Sequence, residues 1–507
     1  MLTLRRALQT VLLVGGMVSA SAAETPALLP VPEALEPAVE FWQRIYTEVS
    51  VDEGVIHETG PQMRIIARID VPRPPHWQAR REAIREALDR HRDALNALAD
   101  QGMQPASARQ SDLLARLPGG TGASAAREMA ERLRFQGGLR QRFREGLVRS
   151  GRWRAHIRAE LASRGVPAEL AALPHVESSF NPQARSHAGA AGLWQFTAGT
   201  GRRFLQIDPV VDERLDPWKS STAAAALLAH NYAELGRWPL AITAYNHGLN
   251  GMRRAVREVG SKRYMDIRQQ YEGGRFGFAS RNFYPAFIAA ARIDADAERY
   301  FPGLQRDPPL KTVRVRLPHY TPVDTLLAGT PIERPVLQRL NPGLGPSVWD
   351  GRKFIPRKHE LVLPAERGID WATAIAGLPG DRLYRNQRPT REHAVTTGQT
   401  LSAIAQRYDI DLQALMVANG IADPRRLRAG QRLDLPMAGS MPAAVGGHHH
   451  EVRPGETLEA IAIRHDVDID ELVRLNELDD PDRIQAGHRL RVTRSASVAV
   501  VDMTDEP

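Results

Sequence analysis

Apolar positions recur at helical spacing through much of the first 300 residues and give way to short alternating runs beyond them. Phe41, Trp42, Ile45 and Tyr46 form one amphipathic face inside a Pro-rich stretch, and residues 77–99 are densely charged with helical periodicity. A Gly/Ser/Ala break at residues 119–125 marks a loop, after which residues 127–147 read as a basic helix. These charges read as solvated faces, so residues 24–150 are expected to be a helical extension packed on the next unit.

Residues 151–303 carry a mainly helical pattern. Pro167 suits a first helical turn, and Leu170, Leu173 and Glu177 follow at i, i+3 and i+7. Glu177 therefore falls on an apolar stripe, where lost hydration raises a carboxyl's pKa toward the range of a neutral-pH proton donor. The alternative for Glu177 is a helix-end side chain facing water or pairing with Arg185. Ser220, Ser221 and Thr222 can cap a helix over residues 223–235 that stops at Gly236. Trp238 and Pro239 open a helix that delivers Tyr245 and Asn246, and residues 283–297 give a last, mostly apolar helix.

Beyond residue 302 proline increases and residues 313–317 alternate as a strand. Residues 393–436 and 450–493 are a duplicated unit, with about 20 of about 44 positions identical without a gap. In each copy a strand with Val395 or Val452 leads through Gly398 or Gly455 to a helix capped by Thr400 or Thr457, followed by Leu401 or Leu458. A second helix ends at Asn419 or Asn476, and Leu433 or Leu490 opens a closing strand. Residues 310–365 show the same order at Thr325-Leu326 and Leu340-Asn341 but lack the glycine. They are a degenerate third copy or an unrelated small domain. Residues 437–449 are a linker and 494–507 a disordered tail.

Residues 1–23 have the form of a cleavable export signal: Arg5 and Arg6, an apolar run over 7–18, and small residues at 20–23. An uncleaved anchor is the alternative; no later stretch approaches the length of a membrane span. There is no cysteine, which excludes disulfides, thiolate metal sites and a lipidated N-terminal Cys. His448, His449 and His450 lack companion ligands at metal-site spacing, so neither a metal nor a cofactor is expected. The formal charge of +8 suits an anionic polymer. Export, and the lack of zinc-finger spacing or an aromatic platform, argue against nucleic acid.

Three motifs stand in order: Glu177-Ser178, Gly192-Leu193-Trp194-Gln195 and Ala244-Tyr245-Asn246. At these residues the chain resembles the soluble and membrane-bound lytic murein transglycosylases, most nearly the D-type membrane-bound members, and its duplicated units resemble LysM modules. The resemblance implies a multidomain protein: a mainly α, lysozyme-like catalytic domain with a helical N-terminal extension, followed by small βααβ modules. It implies that Glu177 acts as acid and then base on the bond between N-acetylmuramic acid and N-acetylglucosamine, leaving a 1,6-anhydromuramoyl end. Ser186, Trp194, Gln195, Tyr245 and Asn246 become candidate substrate contacts, with Tyr245 also next to the carboxyl. The bland alternatives are a local cap for Ser186, a surface amide for Gln195, and packing for Tyr245 and Asn246.

The resemblance further implies that Gly398, Thr400, Leu401 and Asn419, with Gly455, Thr457, Leu458 and Asn476, hold N-acetylglucosamine units of peptidoglycan strands. An exported, periplasmic protein follows, associated with the cell wall or outer membrane and, lacking Cys, not a lipoprotein. Phe283 departs from the pattern, standing where many relatives have a Tyr, with Tyr284 displaced by one. Asp208, Asp212, Glu213 and Asp216 are candidates for the second carboxylate that ordinary glycoside hydrolysis uses. A muramidase of the same fold and a non-catalytic peptidoglycan-binding scaffold are the competing readings.

Overall fold

The computed structural model describes residues 28–501, apart from 74–75, 366–367, 389–390, 409, 420, 422, 436–448, 453–455, 466–468, 477, 479–483, 485–486 and 493–499. The signal, Gly455, His448 and most of the linker and tail lie outside the described residues. Helices α1 (Glu36–Thr47), α2 (Trp77–Asp100), α3 (Ala108–Arg116), α4 (Ala123–Glu131) and α5 (Arg140–Ser150) occupy the N-terminal region. They are joined by an antiparallel sheet of β1 (Glu53–Glu58), β2 (Ile65–Asp70) and β3 (Leu133–Gly137), in the order β2-β1-β3. The expected helical extension thus also carries a three-stranded sheet, and β3 interrupts the helix expected over 127–147. Its pairing with β1, Ile56 opposite Phe135, outweighs the local helical pattern.

The extension is also not one separate layer. Leu35 just before α1, and Ala38, Phe41, Ile45 and Tyr46 within it, bury into the same core as Phe143, Trp194, Ile242 and Phe287. Only α2 to α4 and the outer sheet face keep a small core of their own, around Ile56, Ile66, Leu95 and Met129.

The helices that follow are α6 (Arg154–Ala162), α7 (Leu173–Ser178), α8 (Ala198–Gly201), α9 (Pro217–Leu235), α10 (Trp238–His247), α11 (Leu249–Val259), α12 (Tyr264–Gln270) and α13 (Phe278–Ala295). In α9 the cap is Asp216, whose carboxylate accepts from Trp218 N and Lys219 N. The serines expected as caps lie inside the helix, where Ser220 and Ser221 donate to the carbonyls four residues back at 2.6 and 2.5 Å. Pro217 at the first position explains the earlier start. Pro285 lies inside α13 and has no N–H for the carbonyl of Arg281. That carbonyl accepts instead from the Tyr264 hydroxyl at 2.9 Å and Arg268 Nε at 3.2 Å, which binds α12 to α13.

After residue 303, β4 (Thr312–Arg316) pairs antiparallel with β5 (Glu360–Pro364), with helices Val323–Gly329 and Arg334–Leu340 between them. The core of this unit extends beyond 365 to Trp371, Ile375 and Leu383 and includes Val211. Its edge also pairs with Val500–Val501, so part of the expected disordered tail is a strand. Both duplicated units have the expected strand, helix, helix, strand order: β6 (Arg391–Ala394) pairs with β7 (Arg432–Leu435), and β8 (His449–Glu451) with β9 (Arg489–Arg491).

If α1 belongs to the main core, Ile45→Ala lowers unfolding free energy by about 2–4 kcal/mol in urea. A loss below about 0.5 kcal/mol would make α1 an appendage.

Candidate active site

Glu177 sits in the last turn of the short helix α7, which Pro174 opens. The helix ends abruptly because Ser179 and Phe180 take left-handed backbone angles, φ 51° and 56°. Such angles are costly for non-glycine residues and persist only where neighbours enforce them. Arg149 of α5 supplies part of the restraint, donating from Nη2 to the Ser179 carbonyl at 2.9 Å. Phe180, 1 % exposed, supplies more through its burial.

Below the helix, His175 Nε2 lies 3.2 Å from Asp294, which also pairs with Arg154 at 2.8 Å and Arg306 at 2.9 Å. Burial alone would raise the Asp294 carboxyl, but His175, Arg306 and Arg154 outweigh it and hold it well below the usual carboxylate range. Burial lowers His175 despite its contact with Asp294. The His175 ring stacks on Phe143 at 4.8 Å, and Phe143 stacks on Tyr46 at 4.6 Å.

Glu177 itself is partly buried, and among the described residues its carboxyl has no hydrogen-bond donor or cation partner. Arg185, the alternative partner, pairs with Asp212 at 3.7 Å instead. Burial therefore acts unopposed and pushes the Glu177 carboxyl up to about 8. The phenols of Tyr46 and Tyr245 lie within electrostatic reach of this carboxyl. Burial raises both well above the usual tyrosine range, and the Glu177 charge raises them further. The Tyr245 hydroxyl donates its proton to the Trp194 carbonyl at 2.8 Å, so toward Glu177 it can only accept.

The opposite wall is a loop clamped at several points. Ser178 Oγ donates to the Leu193 carbonyl at 2.7 Å, tying the end of α7 to the loop. Gly192 has φ 83°, and a Cβ there would lie 1.7 Å from the Arg214 carbonyl, so no other residue fits. Arg214, 6 % exposed, pairs with Asp212 at 2.8 Å and donates to the carbonyls of Gly189 at 2.8 Å and Phe196 at 3.1 Å. The unit after residue 303 braces this clamp, since Asp212 N donates to the Gly343 carbonyl at 2.8 Å.

Several sequence expectations change on this geometry. Trp194 is completely buried, with Nε1 donating to Ser221 Oγ at 2.9 Å, so its ring is unavailable for stacking on a sugar. Gln195 donates its amide to the carbonyls of Gly192 at 2.8 Å and Ala184 at 3.2 Å, which makes it a brace of the loop. Ser186 Oγ accepts from Ala190 N at 3.0 Å on the exposed turn of that loop, the local-cap alternative. Tyr245 is brought to Glu177, while Asn246 is exposed beyond it and accepts from Ser280 Oγ at 3.0 Å.

The four candidate second carboxylates are engaged elsewhere. Asp208 accepts from the N–H groups of Val210 and Val211, Asp212 pairs with Arg214, Glu213 pairs with Lys219 at 2.5 Å, and Asp216 caps α9. Tyr46 was missed by sequence reasoning, which placed it only on an amphipathic face. The His175–Asp294 pair was missed because its members lie 119 residues apart. Tyr284, the displaced hydroxyl, donates to the Pro30 carbonyl at 2.9 Å.

In the duplicated units, the residues expected to hold glycan are largely scaffold. Leu401 and Leu458 are 1 % and 3 % exposed, and Thr400 and Thr457 accept from Ala403 N and Ala460 N as helix caps. Asn419 donates to the carbonyls of Leu415 and Asp434 and accepts from Asp434 N, which fastens the second helix to β7. Asn476 donates to the Leu472 carbonyl at 2.8 Å. Asn341 makes the same bridge in the unit at 310–365, donating to Leu337 and Val362 and accepting from Val362 N. Gly398 has φ 86° in the turn before its helix, so its part is conformational.

Comparison with known proteins gives the class. Residues 154–267 match the Transglycosylase SLT domain family, and residues 393–436 and 450–493 match the LysM domain family. The chain thus carries an SLT domain and two LysM domains, which support a lytic transglycosylase enzyme. Among relatives, it is 28 % identical over 348 residues to membrane-bound lytic murein transglycosylase D of Escherichia coli K12, covering 66 % of this chain and 74 % of that protein. It is 30 % identical over 171 residues to membrane-bound lytic murein transglycosylase F 2 of Alkalilimnicola ehrlichii, covering 29 % of this chain and 37 % of the other. Overlap with the crystal structure of the 70 kDa soluble lytic transglycosylase of Escherichia coli has a TM-score of 0.25 at 21 % identity, covering 29 % of this chain and 24 % of that one. Among the described residues no helix is long and apolar enough to cross a membrane.

The raised Glu177 carboxyl has a cost with a definite sign. The folded protein keeps a proton that the unfolded chain releases near 4.5, so stability falls as pH rises from there to about 8. Glu177→Gln escapes that loss: its unfolding free energy at pH 8 should exceed the wild type's by on the order of 1–3 kcal/mol, with the gap closing toward pH 4.5. Asp294→Asn should cost roughly 3 kcal/mol at neutral pH, because Arg154 and Arg306 lose their buried counter-charge. Both follow from thermal or denaturant melts across pH.

Proposed function

We propose that this peptidoglycan lytic transglycosylase cleaves the β-1,4 bond between N-acetylmuramic acid and N-acetylglucosamine, with Glu177 as the one proton-transferring carboxyl. In the first step neutral Glu177 gives its proton to the glycosidic oxygen as the bond to muramoyl C1 breaks. In the second the resulting carboxylate takes the proton of the muramoyl C6 hydroxyl, whose oxygen bonds to C1. A 1,6-anhydromuramoyl end forms, Glu177 is neutral again, and no water is consumed.

The observation that carries this reading is the solitary, partly buried Glu177 carboxyl, raised by burial to about 8 with no donor or cation beside it among the described residues. A group with that pKa is protonated at neutral pH and becomes a competent base once its proton has gone. Placement at the C-terminal end of α7 adds to the preference for the neutral form, because the helix dipole is negative there. Tyr245 fits the same purpose, since its hydroxyl offers the carboxyl only an acceptor. The engagement of Asp208, Asp212, Glu213 and Asp216 in caps and ion pairs favours a mechanism without a second carboxylate. A C6 hydroxyl carried by the substrate gains from being held beside C1 already.

The two LysM domains, and a third unit at 310–365 of the same strand and helix order, then serve to hold glycan strands and raise their concentration at the cleft. The signal-like sequence of residues 1–23 and a cell-wall substrate support a periplasmic location.

Mass spectrometry of soluble muropeptides from sacculi digested with the full chain tests the reaction. Products lighter by one water than reducing muropeptides are expected, and Glu177→Gln should lower their yield by at least about 10³-fold. Reducing ends would identify a hydrolase. Initial rates should fall above pH about 8 as Glu177 loses its proton; a rate still rising there would remove Glu177 as the acid.

A further inference from the structure

We propose that the cavity between the N-terminal sheet and the start of α13 binds a carboxylate-bearing peptide branch of the glycan substrate. This rests on the peptidoglycan reading above and adds a subsite for the substrate's peptide portion. The cavity is about 630 Å³, and its walls include Thr59, Arg134, Arg268, Phe278, Arg281 and Asn282. They come from the β1–β2 turn, β3, α12 and the first turn of α13.

The charge there is one-sided. None of Arg134, Arg268 and Arg281 is paired with a carboxylate among the described residues. Arg134 lies over the Phe278 ring at 4.4 Å. Arg268 uses Nε on the Arg281 carbonyl at 3.2 Å, and Arg281 donates to the carbonyls of Arg268 and Tyr271. Glu58, beside Gly60 of the cavity wall, pairs with Arg132 at 3.1 Å. Glu272 is the acidic charge that acts on Arg281, from outside the cavity lining. Three cations sharing a wall with no carboxylate in it stabilise an incoming anion, and the planar guanidinium matches a carboxylate in two-pronged geometry. The N-terminal end of α13 adds positive potential, because its Gly277 cap supplies no side-chain acceptor.

A peptide fits better than a bare anion. Asn282 is 4 % exposed and spends its amide N–H on the Phe278 carbonyl at 2.9 Å, while its Oδ1 is buried without a partner. That atom needs an N–H donor, which an amide next to a carboxylate provides. A chain of packed aromatic rings runs from the cavity toward the reacting centre. Phe278 lies 6.4 Å from Trp42, Trp42 lies 5.7 Å from Tyr46, and the Tyr46 phenol feels the Glu177 charge.

The test is calorimetric titration of the full chain carrying Glu177→Gln with a synthetic stem peptide having free carboxylates, and with its carboxamide counterpart. No bond is cut, so the result is independent of whether the reaction forms anhydro ends. We expect the acid peptide to bind at least about 10-fold more tightly than the carboxamide, and Arg134→Gln, an exposed position, to weaken it about 10-fold. Asn282→Asp, which sets a negative charge against the peptide, should weaken both. Equal binding of the two peptides, no binding of either, or unchanged binding by a folded Arg134→Gln protein would overturn the proposal.

Discussion

The exposed chemistry of this protein depends on keeping one carboxyl away from every compensating charge. Burial raises the Glu177 carboxyl to about 8, and among the described residues no cation or N–H opposes it. The chain is rich in arginine, and Arg149, Arg154, Arg185, Arg214 and Arg306 are each committed to another acceptor: the Ser179 carbonyl, Asp294, Asp212, Asp212 again, and Asp294. The ion pairs around the site therefore serve to hold cations in place as much as to stabilise the fold.

That requirement explains the layering. Asp294 anchors α7 from below through His175 and two arginines, while the stack of Tyr46, Phe143 and His175 fills the space between α1, α5 and α7. The left-handed residues 179 and 180 turn the chain away directly after Glu177, so that the carboxyl ends a helix. Opposite, the Gly192 turn is rigid because the Arg214–Asp212 pair holds it, and the unit after residue 303 holds Asp212 in turn. The unit after residue 303 is thus connected to the residues that clamp the Gly192 loop through backbone hydrogen bonds.

Local pattern was enough to identify α9, α10 and both LysM repeats, because each has strong periodicity and turn residues at its ends. It also singled out Glu177, since an acidic residue on an apolar stripe is visible in sequence. It failed where pairing across long separations decides the outcome. β3 lies in a segment with helical periodicity and becomes a strand only because β1 is beside it. Tyr46 reaches Glu177 from 131 positions away, and no local pattern reports that. Trp194 looked like a sugar platform because spacing cannot tell which face of a loop is buried; Ser221 at its indole N–H decides the matter. The Thr and Asn positions of the LysM units looked like ligand contacts for a related reason: a residue type that caps and bridges has the same regularity as one that binds.

The most direct measurement is the infrared difference spectrum of the protonated carboxyl stretch across pH, comparing wild type with Glu177→Gln. A band missing from the variant that is present at pH 7 and disappears with a midpoint near 8 is the expected result. A band already gone by pH 6 would mean that Glu177 is ionised at neutral pH, and a single carboxyl acting first as acid would then be ruled out.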